Sequence, residues 1–238
     1  MFFKDKIRKY LISRLGVPEA STALKRLANI GFEPVIIFDV GAYRGDFARL
    51  CAHIWPQAKI VCFEPQENKV IELHRLSGSL PSISVFPVLL GANAESGKVA
   101  LHESGTASSV LSEHIPQHFP VKFYPMRSID DIVQKDLNNQ YPDLLKIDVQ
   151  GYELEVLKGA EKSLSRLKLI LAELNLLDIH KNTPLLHEVI QWLSERGWVA
   201  YDICGLIRRP LDNALWQVDF IFVPYDSPFR ADKHWKSL

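Results

Sequence analysis

At 238 residues the chain can form one α/β domain with a sizeable core, and 47% hydrophobic with 24% charged residues excludes a disordered chain. Lys+Arg and Asp+Glu each total 28, so no net charge draws the protein onto nucleic acid or anionic lipid. Cys51, Cys62 and Cys204 lack the paired spacings of a zinc site or disulfide framework, and neither a spanning apolar stretch nor a signal-peptide core is present, so the cytoplasm is the expected compartment.

Residues 1 to 15 carry Phe2, Phe3, Ile7, Tyr10, Leu11 and Leu15 at mostly helical spacing among Lys4, Lys6, Arg8, Lys9 and Arg14. This basic amphipathic helix is expected to pack on the domain, with peripheral membrane contact as the weaker alternative. Because it precedes every site motif, it is expected to be dispensable for ligand affinity. Gly16-Val17-Pro18 breaks it, and Ser21 to Ile30 reads as a second helix.

From Val35 short apolar runs alternate with helical patterns. Val35 to Val40, Lys59 to Phe63, Ile83 to Leu90, Leu144 to Val149 and Leu167 to Leu171 read as strands covered on both faces. Asp46 to Trp55, Glu67 to Ser77, Ser128 to Leu137, Glu153 to Leu167 and Pro184 to Arg196 read as helices, so the expected fold is a doubly wound α/β sheet with helices on both faces. Residues 91 to 127 read as a long decorated loop with a short hairpin at Gly97 to Glu103. Trp198 to Ile203 and Val218 to Val223, with no room for a crossover helix between them, should pair antiparallel.

The first strand ends in Phe38-Asp39-Val40-Gly41-Ala42-Tyr43-Arg44-Gly45 before a helix opening near Asp46. In open α/β sheets ligands bind at such strand tips, where glycines let the backbone approach them. The second strand ends in Phe63-Glu64-Pro65, which places a carboxylate where it can accept hydrogen bonds from ribose hydroxyls. A dinucleotide site usually shows G-x-G-x-x-G, whereas this run is D-x-G-x-x-x-G. S-adenosyl-L-methionine, a cation without phosphate, suits an acid at Asp39 better.

With these stretches, Leu145-Lys146-Ile147-Asp148-Val149-Gln150-Gly151-Tyr152-Glu153-Leu154-Glu155-Val156-Leu157-Lys158-Gly159-Ala160 and Gln217 to Val223 complete a resemblance to the FkbM family of methyltransferases, over residues 33 to 224. Tyr43 stands where that family often has Asn, and Gln150 where it often has Glu. The resemblance implies a mostly parallel seven-stranded sheet of order 3-2-1-4-5-7-6 with the last strand antiparallel. It divides the chain into an N-terminal helical extension (1–32), a methyltransferase domain (33–226) and a tail (227–238). The cofactor S-adenosyl-L-methionine would lie across the tips of strands 1 and 2, with the acceptor beside strands 4 and 5.

Asp39, Gly41, Tyr43, Gly45, Glu64 and Asp148 then fall at cofactor positions. Asn93 follows the third strand and is either an adenine contact or a turn residue. Ser108 and Ser109 either reach the cofactor or acceptor or form turns, and Glu153 either reaches back into the site or sits in a helical first turn. Asp148 would lie near the transferring methyl. Glu173 and Asn175 emerge from a buried strand, where polar groups are costly unless used or paired. His180 falls in a loop, where a histidine is usually solvated.

The implied reaction is direct displacement at the sulfonium methyl, onto a hydroxyl of a glycan or secondary metabolite. Asp148 or Glu173 is the expected base, with His180 the weaker candidate. No third clustered acid accompanies that pair, so no metal site is expected. Replacing Asp148 by Asn or Glu173 by Gln should each lower turnover more than cofactor affinity. The rivals are a nicotinamide-dependent oxidoreductase, disfavoured by its missing glycine, a non-catalytic binding protein of the same fold, and a nucleic-acid methyltransferase, disfavoured by the zero net charge.

Overall fold

The computed structural model describes residues 15–92, 97–115 and 118–236. The expected helix at residues 1 to 15 lies almost wholly outside the described residues, as does Asn93. Helix α1 (Ala20–Asn29) precedes β1 (Ile36–Val40), α2 (Asp46–Ile54), β2 (Lys59–Phe63), α3 (Glu67–Ser79) and β3 (Ile83–Phe86). After an inserted unit come α4 (Ile129–Lys135), β7 (Leu144–Ile147), α5 (Glu153–Lys158), β8 (Leu169–Asn175), α6 (Leu186–Ser194), β9 (Trp198–Arg208) and β10 (Leu215–Pro224). The inserted unit carries β4 (Leu89–Leu90), β5 (Lys98–His102) and β6 (Val121–Arg127).

The main sheet has seven strands in the order β3-β2-β1-β7-β8-β10-β9. This is the expected order 3-2-1-4-5-7-6, with β10 antiparallel to both β8 and β9. The central strands are apolar at nearly every position because both faces are covered. Phe38 and Val40 of β1 join Ile132, Leu157 and Leu193 from α4, α5 and α6 in one core. Ile37 joins Leu24, Leu27, Cys51 and Leu73 from α1, α2 and α3 in the other. Helix α1 is tied down further by an Arg26–Asp202 ion pair of 2.6 Å to β9. Phe229, near the chain end, packs edge-on against Phe32.

Three boundaries differ from expectation. Pro87 lacks an N–H and divides the run Ile83 to Leu90: β3 pairs with β2, while β4 turns away to pair with β6. The hairpin expected at Gly97 to Glu103 is instead one strand, β5, antiparallel to β6, and with β4 these form a three-stranded satellite sheet of order β4-β6-β5. Its small core is Leu89, Leu101, Tyr124 and Met126. The expected helix Glu153 to Leu167 ends at Lys158 and resumes only as a 3-10 turn at Ser163–Ser165.

Candidate active site

The carboxyl ends of β1, β2 and β7 open into a cavity of about 320 Å³ that the satellite sheet and α1 help to enclose. Gly41, Tyr43, Glu64 and Asp148, all expected there, line it. Gly41 has φ +73°, and a Cβ there would overlap the Asp148 carbonyl oxygen, so its lack of a side chain lets the tips of β1 and β7 close together. Gly45 lies outside the cavity wall. It opens α2 with φ +79° and packs on Leu73 and Leu76 of α3, so its place in the motif is one of helix packing.

Glu64 is buried, and the N–H groups of Gln66 and Tyr43 donate to its two oxygens, each at 2.9 Å. Burial raises its pKa while those two backbone donors oppose the rise. Its remaining lone pairs are available to ligand hydroxyls. Tyr43 holds φ +48°, a left-handed conformation that Asn adopts more readily. Its ring is covered by the Lys69 ammonium at 4.5 Å. Beyond Glu64 the wall is apolar, with Phe63, Val88, Leu89, Leu90 and Leu101, a surface suited to a planar heteroaromatic ring.

Asp39 lies just beneath the cavity at 0% exposure, and neither of its oxygens accepts a hydrogen bond from a described residue. Its compensation is Lys146 on β7, whose Nζ stands 3.2 Å from Asp39 Oδ1 and 3.4 Å from Asp148 Oδ2. Lys146 also donates to the carbonyl of Gly41 at 3.0 Å. Burial works against the ammonium, but Asp39 and Asp148 outweigh it and hold its pKa above the ordinary value. Asp39 is pushed upward by burial and restrained by Lys146.

A network of side-chain amides backs the site. Gln150, at φ +54°, donates from Nε2 to Asp148 Oδ1 at 2.9 Å and to Glu173 Oε1 at 2.6 Å. Gln217 Nε2 donates to the same Glu173 oxygen at 2.6 Å. Glu173 lies behind the wall. Burial first, then the charges of Asp148, Glu153 and Asp219, raises its pKa to about 10. Asp219 on β10 lines the cavity, and burial with the charge of Asp148 raises it to about 6.

Other expectations resolve differently. Glu153 reaches back over the β7–α5 turn, where Oε1 accepts from the N–H groups of Val149 and Gly151, each at 3.1 Å, and burial raises it to about 7. Ser109 is placed away from the main cavity: its hydroxyl donates to the Gln150 carbonyl and accepts from Leu111 N–H. Ser108 lines the main cavity instead. His180 is not solvated. It is buried, bridges to Glu113, and lines a separate cavity of about 190 Å³. Burial lowers its pKa. Asn175 is buried with its amide nitrogen unpartnered.

Sequence reasoning gave no role to Lys146, Gln217 or Asp219. The available signal was polarity inside strands buried on both faces, where such groups are costly unless they serve a site.

The FkbM methyltransferase domain family matches residues 39–199. Among curated relatives, the hexuronic acid methyltransferase AglP of Haloferax volcanii is 28% identical over 143 residues, 60% of this chain and 57% of that protein. The 2-O-methyltransferase NoeI of Sinorhizobium fredii is 24% identical over 184 residues, 71% of this chain and 74% of that protein. The methyltransferase sdnD of Sordaria araneosa is 27% identical over 198 residues, covering 66% and 74% respectively. The chain thus matches little more than half the length of the first of these and about three quarters of the other two. With the family's match spanning the first turn, Glu64 and the Asp148 turn that together build the cavity, the chain belongs to the FkbM methyltransferase family.

Proposed function

We propose that the chain transfers the methyl group of S-adenosyl-L-methionine to a hydroxyl oxygen of a glycan or a small metabolite. The observation that carries this is the charge of the cavity: Glu64 at one end, Asp148 and Asp219 at the other and Asp46 on the wall, with Asp39 beneath, outnumber Lys146 and Arg44. A cationic nucleoside complements such a site. Glu64 would hold the ribose hydroxyls, the apolar wall from Val88 to Leu90 the adenine, and Asp148 with Asp39 the positively charged end. The bound sulfonium supplies the activated methyl; the chain orients it, excludes water and removes a proton.

A nicotinamide dinucleotide fits less well. Asp46 lies in the first turn of α2 and lines the cavity, and so places a negative charge where a pyrophosphate would need the helix N-terminus. The relatives that act on hexuronic acid and at a 2-hydroxyl support a glycan acceptor. Among the residues expected to act as base, Asp148 lines the main cavity, whereas Glu173 lies behind its wall with a raised pKa and His180 faces the other cavity, which favours Asp148. Calorimetric titration tests the cofactor: the chain should bind S-adenosyl-L-methionine and not NAD, and binding of NAD alone would overturn the proposal.

A further inference from the structure

The second cavity, of about 190 Å³, gathers polar side chains that the protein leaves without partners. His180 is 3% exposed, yet its ring makes no hydrogen bond to a described residue. The side chains of His102, Ser112, Glu113 and Lys181 line the same space and likewise form no hydrogen bond or ion pair among the described residues. Ser112 and Lys181 are exposed, so water serves them, but His180 lies inside. A buried polar group is costly unless something bonds it, and here the bonding group has to come from a ligand.

The lining selects the ligand's chemistry. Burial lowers the pKa of His180, so near neutral pH its imidazole is uncharged, one nitrogen donating and the other accepting. A hydroxyl, which also donates and accepts, complements it better than an anion, which only accepts. Leu111 and Phe119 supply apolar carbon to the same cavity. Hydrogen-bonding groups on some sides and carbon on others suit a sugar ring, with hydroxyls around its edge and C–H groups on its faces. The volume lies below the ~300–1,000 Å³ of a site for a whole drug-sized ligand, and it suits one ring.

The two cavities share a wall. Thr106, Ser108 and Val110 line the main one, whereas Ala107, Ser109 and Leu111 line the second. Gln150 links them: its Nε2 donates to Asp148 Oδ1 at 2.9 Å, and its carbonyl accepts the Ser109 hydroxyl at 2.7 Å. One residue and two hydrogen bonds thus separate the Asp148 carboxylate from the second cavity, a distance on the order of 10 Å. Two sugar rings joined by a glycosidic oxygen span roughly 10 Å as well.

We propose that the second cavity is a glycan subsite, which holds the sugar residue next to the one whose hydroxyl is methylated. His180, Glu113 and Ser112 pair with its hydroxyls, and Phe119 covers a ring face. The saccharide passes between the cavities over the exposed Thr106 and the adjoining Ala107. This rests on the methyltransferase function proposed above and narrows the acceptor to a saccharide of at least two residues.

The test titrates the chain, saturated with S-adenosylhomocysteine, with the methyl glycosides of glucose, galactose and mannose, and follows the histidine rings by proton–carbon correlation NMR. His180→Phe assigns the His180 signal by its loss. At least one glycoside should move the His102 and His180 signals together along a saturable curve. Glu113→Ala removes a side chain that bonds nothing within the protein, so it should fold; it should bind that glycoside at least about tenfold more weakly and S-adenosylhomocysteine within about twofold of wild type. In transfer of tritiated methyl from adenosylmethionine to an extract of the source cells, the same variant should need at least about tenfold more extract for its half-maximal rate. Glycosides that leave both signals in place would overturn the subsite. So would signals that move only when S-adenosylhomocysteine is absent, since the sugar would then sit in the main cavity. An unchanged extract requirement in a variant that has lost glycoside binding would overturn the acceptor role. A wild type that binds S-adenosylhomocysteine and glycoside but transfers no methyl would remove the function itself and the acceptor role with it, an outcome distinct from failed glycoside binding by a chain that does transfer.

Discussion

Glu64 couples the local backbone to the cavity, because its two oxygens accept the Tyr43 and Gln66 N–H groups and the residue also lines the cavity. Glu64→Ala should weaken adenosylmethionine binding by at least about 1 kcal/mol, since charge-assisted hydrogen bonds are lost. Calorimetry on a folded variant checks this, and unchanged affinity would show that the ribose is held elsewhere. Glu173 makes the opposite case. Burial raises its pKa and it receives two amide donors on one oxygen, so Glu173→Gln is close to isosteric with what the fold already holds. That variant should fold, and its turnover should fall by less than that of Asp148→Asn, a residue that lines the cavity; an equal fall in both would favour Glu173 as a base. Lone residues such as Asp39 and Glu64 stood out in the sequence because they lie beside the ends of strands, next to recognisable turns. Lys146 and Asp219 were not, since their meaning depends on which neighbours the sheet order supplies.

At the scale of elements, each main-sheet strand was legible because continuous apolarity and two-sided burial go together. The satellite sheet was not. In β6 only Tyr124 and Met126 are buried, and Pro125 argues against a strand flanked on both sides. Gly205 read as part of a connecting segment, yet β9 runs on to Arg208 and makes the glycine a cross-strand partner of Asp219. Helix α1 matters to the site in a way its sequence did not show: Ala20 lines the cavity, while Leu24 and Leu27 are fully buried against the sheet. Removing residues 1 to 15 should leave adenosylmethionine affinity within about twofold. Removing residues 1 to 30 should expose that core and lower both affinity and melting temperature, because burying side chains of this size contributes about 1.5–3 kcal/mol each. Equal affinity in the two truncations would show that α1 does not wall the pocket.

The whole molecule concentrates raised acids at one end of the sheet. Glu153 at about 7 and Asp219 at about 6, with Glu173 higher still, all lie above their ordinary values because burial penalises their charge. The folded chain keeps protons there that the unfolded chain releases, so stability falls as pH rises from the ordinary carboxylate range through about 7. His180 acts in the other direction. Its lowered pKa contributes stability that is lost as pH falls through the usual histidine range, but it is one group against several raised acids. The ligand-free chain should therefore melt at a higher temperature near about pH 5.5 than near about pH 7.5, and Glu173→Gln should flatten that difference; a melting temperature that climbs with pH would contradict the assignment. The central claim, methyl transfer from adenosylmethionine to a hydroxyl, is tested most directly by incubating the chain with carbon-13-methyl adenosylmethionine and an extract of its source cells and reading the product by NMR. A labelled methyl ether on a glycan or metabolite is the predicted result. Label on nitrogen or carbon, or no labelled product from a chain that binds the cofactor, would contradict the claim.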